Sequence, residues 1–303
     1  MGDLGLFLLR RPECSILLAG GLPPHEDSSP ASDLWTTFGL AILVVAGVLV
    51  ASRDALLERL YLSRLDSADR EVRRAAIEKL RGIRAKRVDP RVLEISRADP
   101  AALVSFVEAE YDGVFVVVDR SGGFYFGLPY AKELMTRMIE DFSPESSYGV
   151  VFADRGVTQF PHSGQPAHGD PSFRASALEF VASVSGGAGS CIENGLQAAL
   201  QLASSSPARK KAILYIGDGG GTCDGSAEEE YLESAVENVV KANKGYADFW
   251  AVGVNVNSLH RSFLRDLTEI NAGRCVEIKL DQPRRRRQRP QPRVQLRSGV
   301  QLR

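Results

Sequence analysis

The chain has 303 residues, 44% of them hydrophobic, and a net charge of −1, which is enough for one substantial core with appendages. The charge is uneven: from Asp281 onward eight arginines stand against one acid, so an acidic body carries a basic tail. Cys14, Cys191, Cys223 and Cys275, with His25, His162, His168 and His260, match no zinc spacing, which excludes a zinc module.

Residues 1–33 hold two short apolar stretches, LGLFLL and SILLAG, split by RRPEC and followed by a polar loop. That is not the pattern of a signal peptide. Residues 34–52, LWTTFGLAILVVAGVLVAS, carry no charge and are long enough to cross a bilayer, so they predict one transmembrane helix. Arg53, Arg59, Arg64, Arg70, Arg73 and Arg74 follow it. Positive-inside counting therefore expects a single-pass protein with its large C-terminal part in the cytoplasm.

Residues 54–111 read as a helical linker. ALLERLYLSRL places Leu56, Leu60 and, more loosely, Leu57 on one stripe; DSADREVRRAAIEKLRGI repeats the helical period with Val72, Ala76, Leu80 and Ile83. Ser67 or Asp69 caps the second helix. The pair resembles one HEAT-type repeat, and one such unit has to pack on something else. DPRVLEISRADPAALVSFVEAE then leads on, its two Asp-Pro pairs marking turns.

From 112 to 280 strands alternate with helices. VFVVV (114–118) is a β-branched run suited to a strand covered on both faces. YGVVFA (148–153), VTQF (157–160), AILYIG (212–217), ADFWAVGVN (247–255) and RCVEIKL (274–280) supply five more strands. Between them lie helical patterns: YAKELMTRMIEDF, SFRASALEFVASV, CIENGLQAALQLA, SAEEEYLESAVENVVKANKG and LHRSFLRDLTEINAG. The order predicts an α/β domain, a doubly wound and mostly parallel six-stranded sheet flanked by helices.

In such a sheet the loops leaving the carboxyl ends of the strands converge where the strand order reverses. The first strand delivers DRSGG, with Asp119 and Ser121. SGGAGS brings Ser190 before a helix, and GDGGGTCDG puts Asp218 after the fourth strand. Two carboxylates and two hydroxyls with no nearby lysine or histidine suit a hard cation such as Mg²⁺. Each residue also has a plain structural reading: Asp119 as a turn former, Ser190 as the cap of a helix starting at 191.

With those motifs in place, residues 112–280 resemble a von Willebrand factor type A domain. Its metal-ion-dependent adhesion site (MIDAS) is an Asp-x-Ser-x-Ser element after the first strand, a Thr ahead of a central helix and an Asp-Gly after the fourth strand. Here these positions are held by Asp119, Ser121 and Gly123, by Ser190, and by Asp218. The resemblance implies a domain that binds other proteins, through a divalent cation whose open position takes a partner's carboxylate, and that is not an enzyme. Gly123 in place of the second motif serine removes one oxygen ligand, while Ser190 in place of Thr keeps its hydroxyl.

Three further readings stay open at this stage. Cys191 and Cys223 rim the same edge and are either bonded, which favours an extracytoplasmic domain, or two free thiols. Phe124, Tyr125, Phe126 and Leu128 either cover the core or face a partner. The tail, 281–303, has no periodic apolar face and reads as a disordered arginine-rich segment able to touch anionic lipid, with no specific nucleic acid expected. The leading function is a membrane-tethered, cation-assisted protein-binding module. A metal-free assembly scaffold is the alternative. A metal-dependent hydrolase ranks last, because no histidine or lysine is placed to activate a serine and GDGGG lacks the Lys-Ser/Thr of a P-loop.

Overall fold

The computed structural model describes residues 53–84, 100–223 and 225–281. The expected segments 1–33 and 34–52, the stretch 85–99 and the tail beyond Asp281 lie outside them. One helix runs over 53–64 (α1). In chain order follow α2 (Arg70–Arg84), α3 (Pro100–Glu110), β1 (Gly113–Asp119), α4 (Leu128–Asp141), β2 (Ser147–Ala153), β3 (Val157–Phe160) and β4 (Ala167–His168). Then come α5 (Pro171–Ser183), α6 (Ile192–Ser205), β5 (Lys211–Gly217), α7 (Glu228–Asn243), β6 (Asp248–Val254), α8 (Ser258–Ile270) and β7 (Cys275–Ile278).

The strands form one sheet in the order β3-β2-β1-β5-β6-β7, with β4 also paired to β2. β1, β2, β5, β6 and β7 run parallel, and β3 and β4 lie antiparallel to β2. The sheet therefore has seven strands, not the six expected. The extra one, β4, is two residues long, too short to leave an alternating pattern in the polar loop that holds it.

Every residue of β1 is buried, as its β-branched run requires. Val114, Val116 and Val118 face the layer that includes α3, α4 and α5, while Phe115 and Val117 face α6, α7 and α8. Chain connections leave β1 toward β2 on one side and return to β5 on the other. The reversal of strand order thus falls between β1 and β5, which pair in register from Gly113–Lys211 to Val118–Ile216.

The helical pair packs on the sheet domain, and its inward face differs from the expected one. Ala76, Leu80 and Ile83 are buried as predicted, but Leu56 is 70% exposed and Leu60 and Val72 are also exposed. The inward residues are instead Tyr61 and Leu62 on α1 and Leu65 in the turn that follows it. The reason is electrostatic as well as apolar. A row of arginines on α2 pairs across to α7 and α8: Arg70 and Arg74 with Glu233, Arg73 with Glu237 at 2.7 Å, and Arg81 with Asp266. Arg84, 3% exposed, donates to Glu58 (2.8 Å), to the Ile270 carbonyl (2.8 Å) and to Asn271 Oδ1 (3.3 Å). Arg84→Ala would remove the buried guanidinium from Glu58 and from the Ile270 carbonyl at the α8 end. A loss of about 3 kcal/mol in urea unfolding is expected, and a loss below about 1 kcal/mol would show that the helical pair is not tied down here.

The chain after the second Asp-Pro pair is helix α3 rather than a plain connection. Pro100 sits at its first position, where a missing N–H goes unnoticed, and Leu103, Val104 and Val107 are buried.

The expectation of a single-pass membrane protein with a cytoplasmic domain is corrected. Among the described residues no helix is long and apolar enough to cross a membrane. Residues 34–52 lie outside that set. Cys191 and Cys223 are joined in a disulfide with Cα atoms 4.7 Å apart, a bond rare in the cytosol.

Candidate cation and ligand site

Asp119 is the last residue of β1 and shares the sheet face of Phe115 and Val117, because side chains alternate along a strand. It is 1% exposed. Its Oδ1 accepts the Ser121 N–H at 2.7 Å, the local turn anticipated from the sequence. Its Oδ2 is buried and receives no protein hydrogen, yet the Asp218 carboxylate lies in hydrogen-bonding contact with the Asp119 side chain. Two acceptors facing one another attract only with a proton or a cation between them. Burial, followed by the charge of Asp218, pushes the Asp119 acid up to about 7.

Asp218 follows β5 directly, across the reversal from Asp119. Its Oδ1 accepts the Gly220 N–H at 2.9 Å. Ser121, 4% exposed, presents an Oγ that accepts a long 3.4 Å hydrogen bond from the Phe124 N–H, and its side chain also hydrogen-bonds Asp119. Gly123 faces the same space. A Cβ there would stand 3.2 Å from Asp218 Oδ2 and 3.7 Å from Ser121 Oγ. Asp119, Ser121, Gly123 and Asp218 are thus brought together at one point of the sheet edge.

Ser190 reaches that point through the Asp218 loop. Helix α6 begins at Ile192 with Cys191 as its cap residue, so the expected capping role of Ser190 is not what the structure shows. Its Oγ donates instead to the Gly220 carbonyl at 2.7 Å, and Ser190 forms a β-bridge with Thr222. Gly221, at φ +138°, lies so close that any side chain there would collide with Ser190. One residue further on, Cys191 is bonded to Cys223, so the two loops are joined covalently as well as by hydrogen bonds.

Three contributors were not identified from the sequence. Tyr215, fully buried, places its hydroxyl below the site, where it accepts the Gly219 N–H at 3.2 Å. Its phenol is pushed up by burial first and then by Asp119 and Asp218. A phenol inside an otherwise aliphatic strand was the available signal. Glu228, in the acidic first turn of α7, accepts the Gly221 N–H at 2.8 Å and meets His260 Nε2 at 3.1 Å, bracing the Asp218 loop from behind. The sequence explained that acid by the helix dipole alone. Arg155 lies against Gly189, which has φ +78° and no room for a Cβ beside the Arg155 stem.

Among the described residues no cluster of three His, Cys, Asp or Glu side chains is present. The donor set is therefore two carboxylates plus hydroxyls. Such a set fits Mg²⁺, which takes few protein oxygens and keeps several waters. The buried Oδ2 of Asp119 without a hydrogen-bond partner, on a side chain that meets a second carboxylate, is the observation that favours a cation.

The sequence matches no protein-family profile and no curated protein. Among solved structures it is similar to a von Willebrand factor type A protein from Catenulispora acidiphila, at 19% identity and TM-score 0.48, over 55% of this chain and 38% of that one. It is also similar to the vWF domain of a type V pili tip protein from Porphyromonas gingivalis, at 12% identity and TM-score 0.44, over 55% of this chain and 89% of that one. A third is proximal thread matrix protein 1 from the mussel byssus, described with a zinc-occupied MIDAS motif, at 13% identity and TM-score 0.40, over 55% and 43%. The matched region spans well under two thirds of the Catenulispora chain.

Proposed function

We propose that the domain is a protein-binding module in which Asp119, Ser121, Ser190 and Asp218 hold a divalent cation, Mg²⁺ or a similar ion, and that it is not an enzyme. Bound there, the ion would supply a positive centre with an open position for a partner's carboxylate. The observation that carries this reading is the buried Asp119 Oδ2, which has no hydrogen-bond partner, on a side chain that meets the Asp218 carboxylate. Asp119 and Asp218 supply the charge, Ser121 a hydroxyl from the same turn, and Ser190 a hydroxyl fixed to the Asp218 loop. Neither serine is poised as a nucleophile: the Ser190 hydrogen goes to a carbonyl, and Ser121 Oγ accepts a backbone N–H. The disulfide at the rim fits an oxidising compartment.

A second reading, a metal-free scaffold, is favoured by Gly123, which leaves the ligand set one hydroxyl short. Calorimetric Mg²⁺ titration of the full chain separates the two. Binding by wild type and none by Asp119→Ala supports the cation; equal traces leave the scaffold. Gly123→Ser would restore a hydroxyl beside Asp218 and Ser121, and a roughly tenfold tighter Mg²⁺ constant is expected, about 1.4 kcal/mol for one added ligand. An unchanged or weaker constant would mean that the third motif position does not face the ion.

A further inference from the structure

Residues 124–126 divide into one buried and two exposed aromatics. Phe124 is 2% exposed and closes the top of the core, its ring packed where Gly127 has no side chain. Tyr125 is 64% exposed and Phe126 47%, so the core does not need them. Their rings meet edge to face with centroids 5.5 Å apart. Tyr125 also borders the glycine loop that leads to Ser190: a Cβ on Gly186 would touch its ring at 3.6 Å. At the other end of that loop Arg155 lies over Gly189. Arg155 is exposed, and among the described residues no carboxylate pairs with it. Its neighbour Arg120, by contrast, is occupied by Asp154 at 3.2 Å.

One rim of the candidate site therefore combines an apolar pair with an unpaired guanidinium. Two large exposed aromatics side by side mark a contact surface more often than a solvated one. The free positive charge selects for a negative occupant.

We infer that this rim, Tyr125 and Phe126 with Arg155, is the specificity surface of the module, and that it takes an extended protein segment carrying an acid and a large apolar residue two positions apart. This rests on the function proposed above and adds the partner's class to it. The spacing follows from the chain. Gly123 faces the Asp218 carboxylate, and Tyr125 is two residues on, at most about 7 Å away along the backbone. In an extended segment, residues i and i+2 share one face at a similar separation. An acid directed at the Asp119–Asp218 centre then sets the apolar side chain at i+2, or i−2, on the Tyr125–Phe126 pair. Arg155 neutralises remaining negative charge on the segment.

The test pans the full chain against a random linear-peptide phage library in millimolar Mg²⁺ and synthesises the recovered peptides. Recovered sequences are expected to share an Asp or Glu two positions from Phe, Tyr, Trp, Leu or Ile. Tyr125→Ser with Phe126→Ser should weaken such a peptide at least about tenfold, the scale of an aromatic anchor. Arg155→Gln should weaken it and flatten its salt dependence. The aromatic variant should keep the wild-type Mg²⁺ heat, since neither ring belongs to the ligand set. Failure to recover peptides, recovery without the acid–apolar spacing, or full binding by the aromatic variant would overturn the inference. If wild type gives no Mg²⁺ heat but the peptides still depend on Tyr125, Phe126 and Arg155, the cation reading falls and the surface stands.

Discussion

Raising the pH from about 4 to about 8 without divalent cations is expected to lower the stability of the wild-type protein through Asp119. The acid is pushed up to about 7 in the folded state, by burial first and by Asp218 second. In the unfolded chain it ionises near its ordinary value of about 3.9. Between those values the folded protein holds a proton that the unfolded chain has released, so stability falls as pH rises, then levels off above the folded value. At about 1.4 kcal/mol for each tenfold change, the span amounts to at most about 4 kcal/mol. Asp119→Asn removes the proton and should flatten this part of the curve. Glu108, pushed up to about 7 by burial and then by Asp141, contributes a slope of the same sign in both proteins, so the difference between them is the readout. Urea midpoints for wild type and variant across this range decide the matter, and parallel curves would refute it. Millimolar Mg²⁺ at neutral pH should then restore stability to wild type and leave Asp119→Asn unmoved. The ion would replace the missing proton between the two carboxylates.

Replacing both Cys191 and Cys223 by serine is expected to have a comparable effect by a different route. The bond closes a loop of sequence separation 32, and chain-entropy arguments place its contribution at about 4 kcal/mol. The loss should appear in urea unfolding at any pH. A second effect should accompany it. Cys191 adjoins Ser190, and Cys223 lies in the loop that carries Asp218, so the bond joins two of the three site-forming loops before any ion arrives. The double variant should therefore bind Mg²⁺ more weakly at a pH and temperature where it remains folded. An unchanged Mg²⁺ constant in a folded double variant would limit the disulfide to a stabilising role. The Ser190–Gly220 hydrogen bond and the Ser190–Thr222 bridge would then be sufficient to place the loop.

The two effects are separable because they act on different states. Asp119 changes the folded state, where two carboxylates meet in a buried space. The disulfide acts mainly on the unfolded chain, by restricting it. Combining Asp119→Asn with the double cysteine change should give nearly additive effects on stability and a non-additive loss of Mg²⁺ binding, since all of these residues serve one small volume.

Much of the domain is legible in its residues. A short β-branched run such as VFVVV suits a strand buried on both faces, and strands alternating with helices leave few arrangements other than a parallel doubly wound sheet. The position of Asp119 and Asp218 at the ends of β1 and β5 follows from that order, because both strands run the same way and their carboxyl ends share an edge. What the residues leave open is settled by contacts distant in sequence. Ser190 next to a helix start reads as a cap; only the approach of Gly220, 30 residues later, gives its hydroxyl another acceptor. Leu56 and Leu60 look like an inward stripe, yet the pairing of α2 arginines with α7 and α8 turns Leu65 inward instead. The pairing of Cys191 with Cys223, the bracing of the Asp218 loop by Glu228 and His260, and the exposure of Tyr125 and Phe126 above a buried Phe124 depend likewise on how helices and loops are set against the sheet. Local periodicity determines which segments form and which face of each is apolar. It carries no information on which distant polar groups will meet, since that depends on the packing of whole elements against one another.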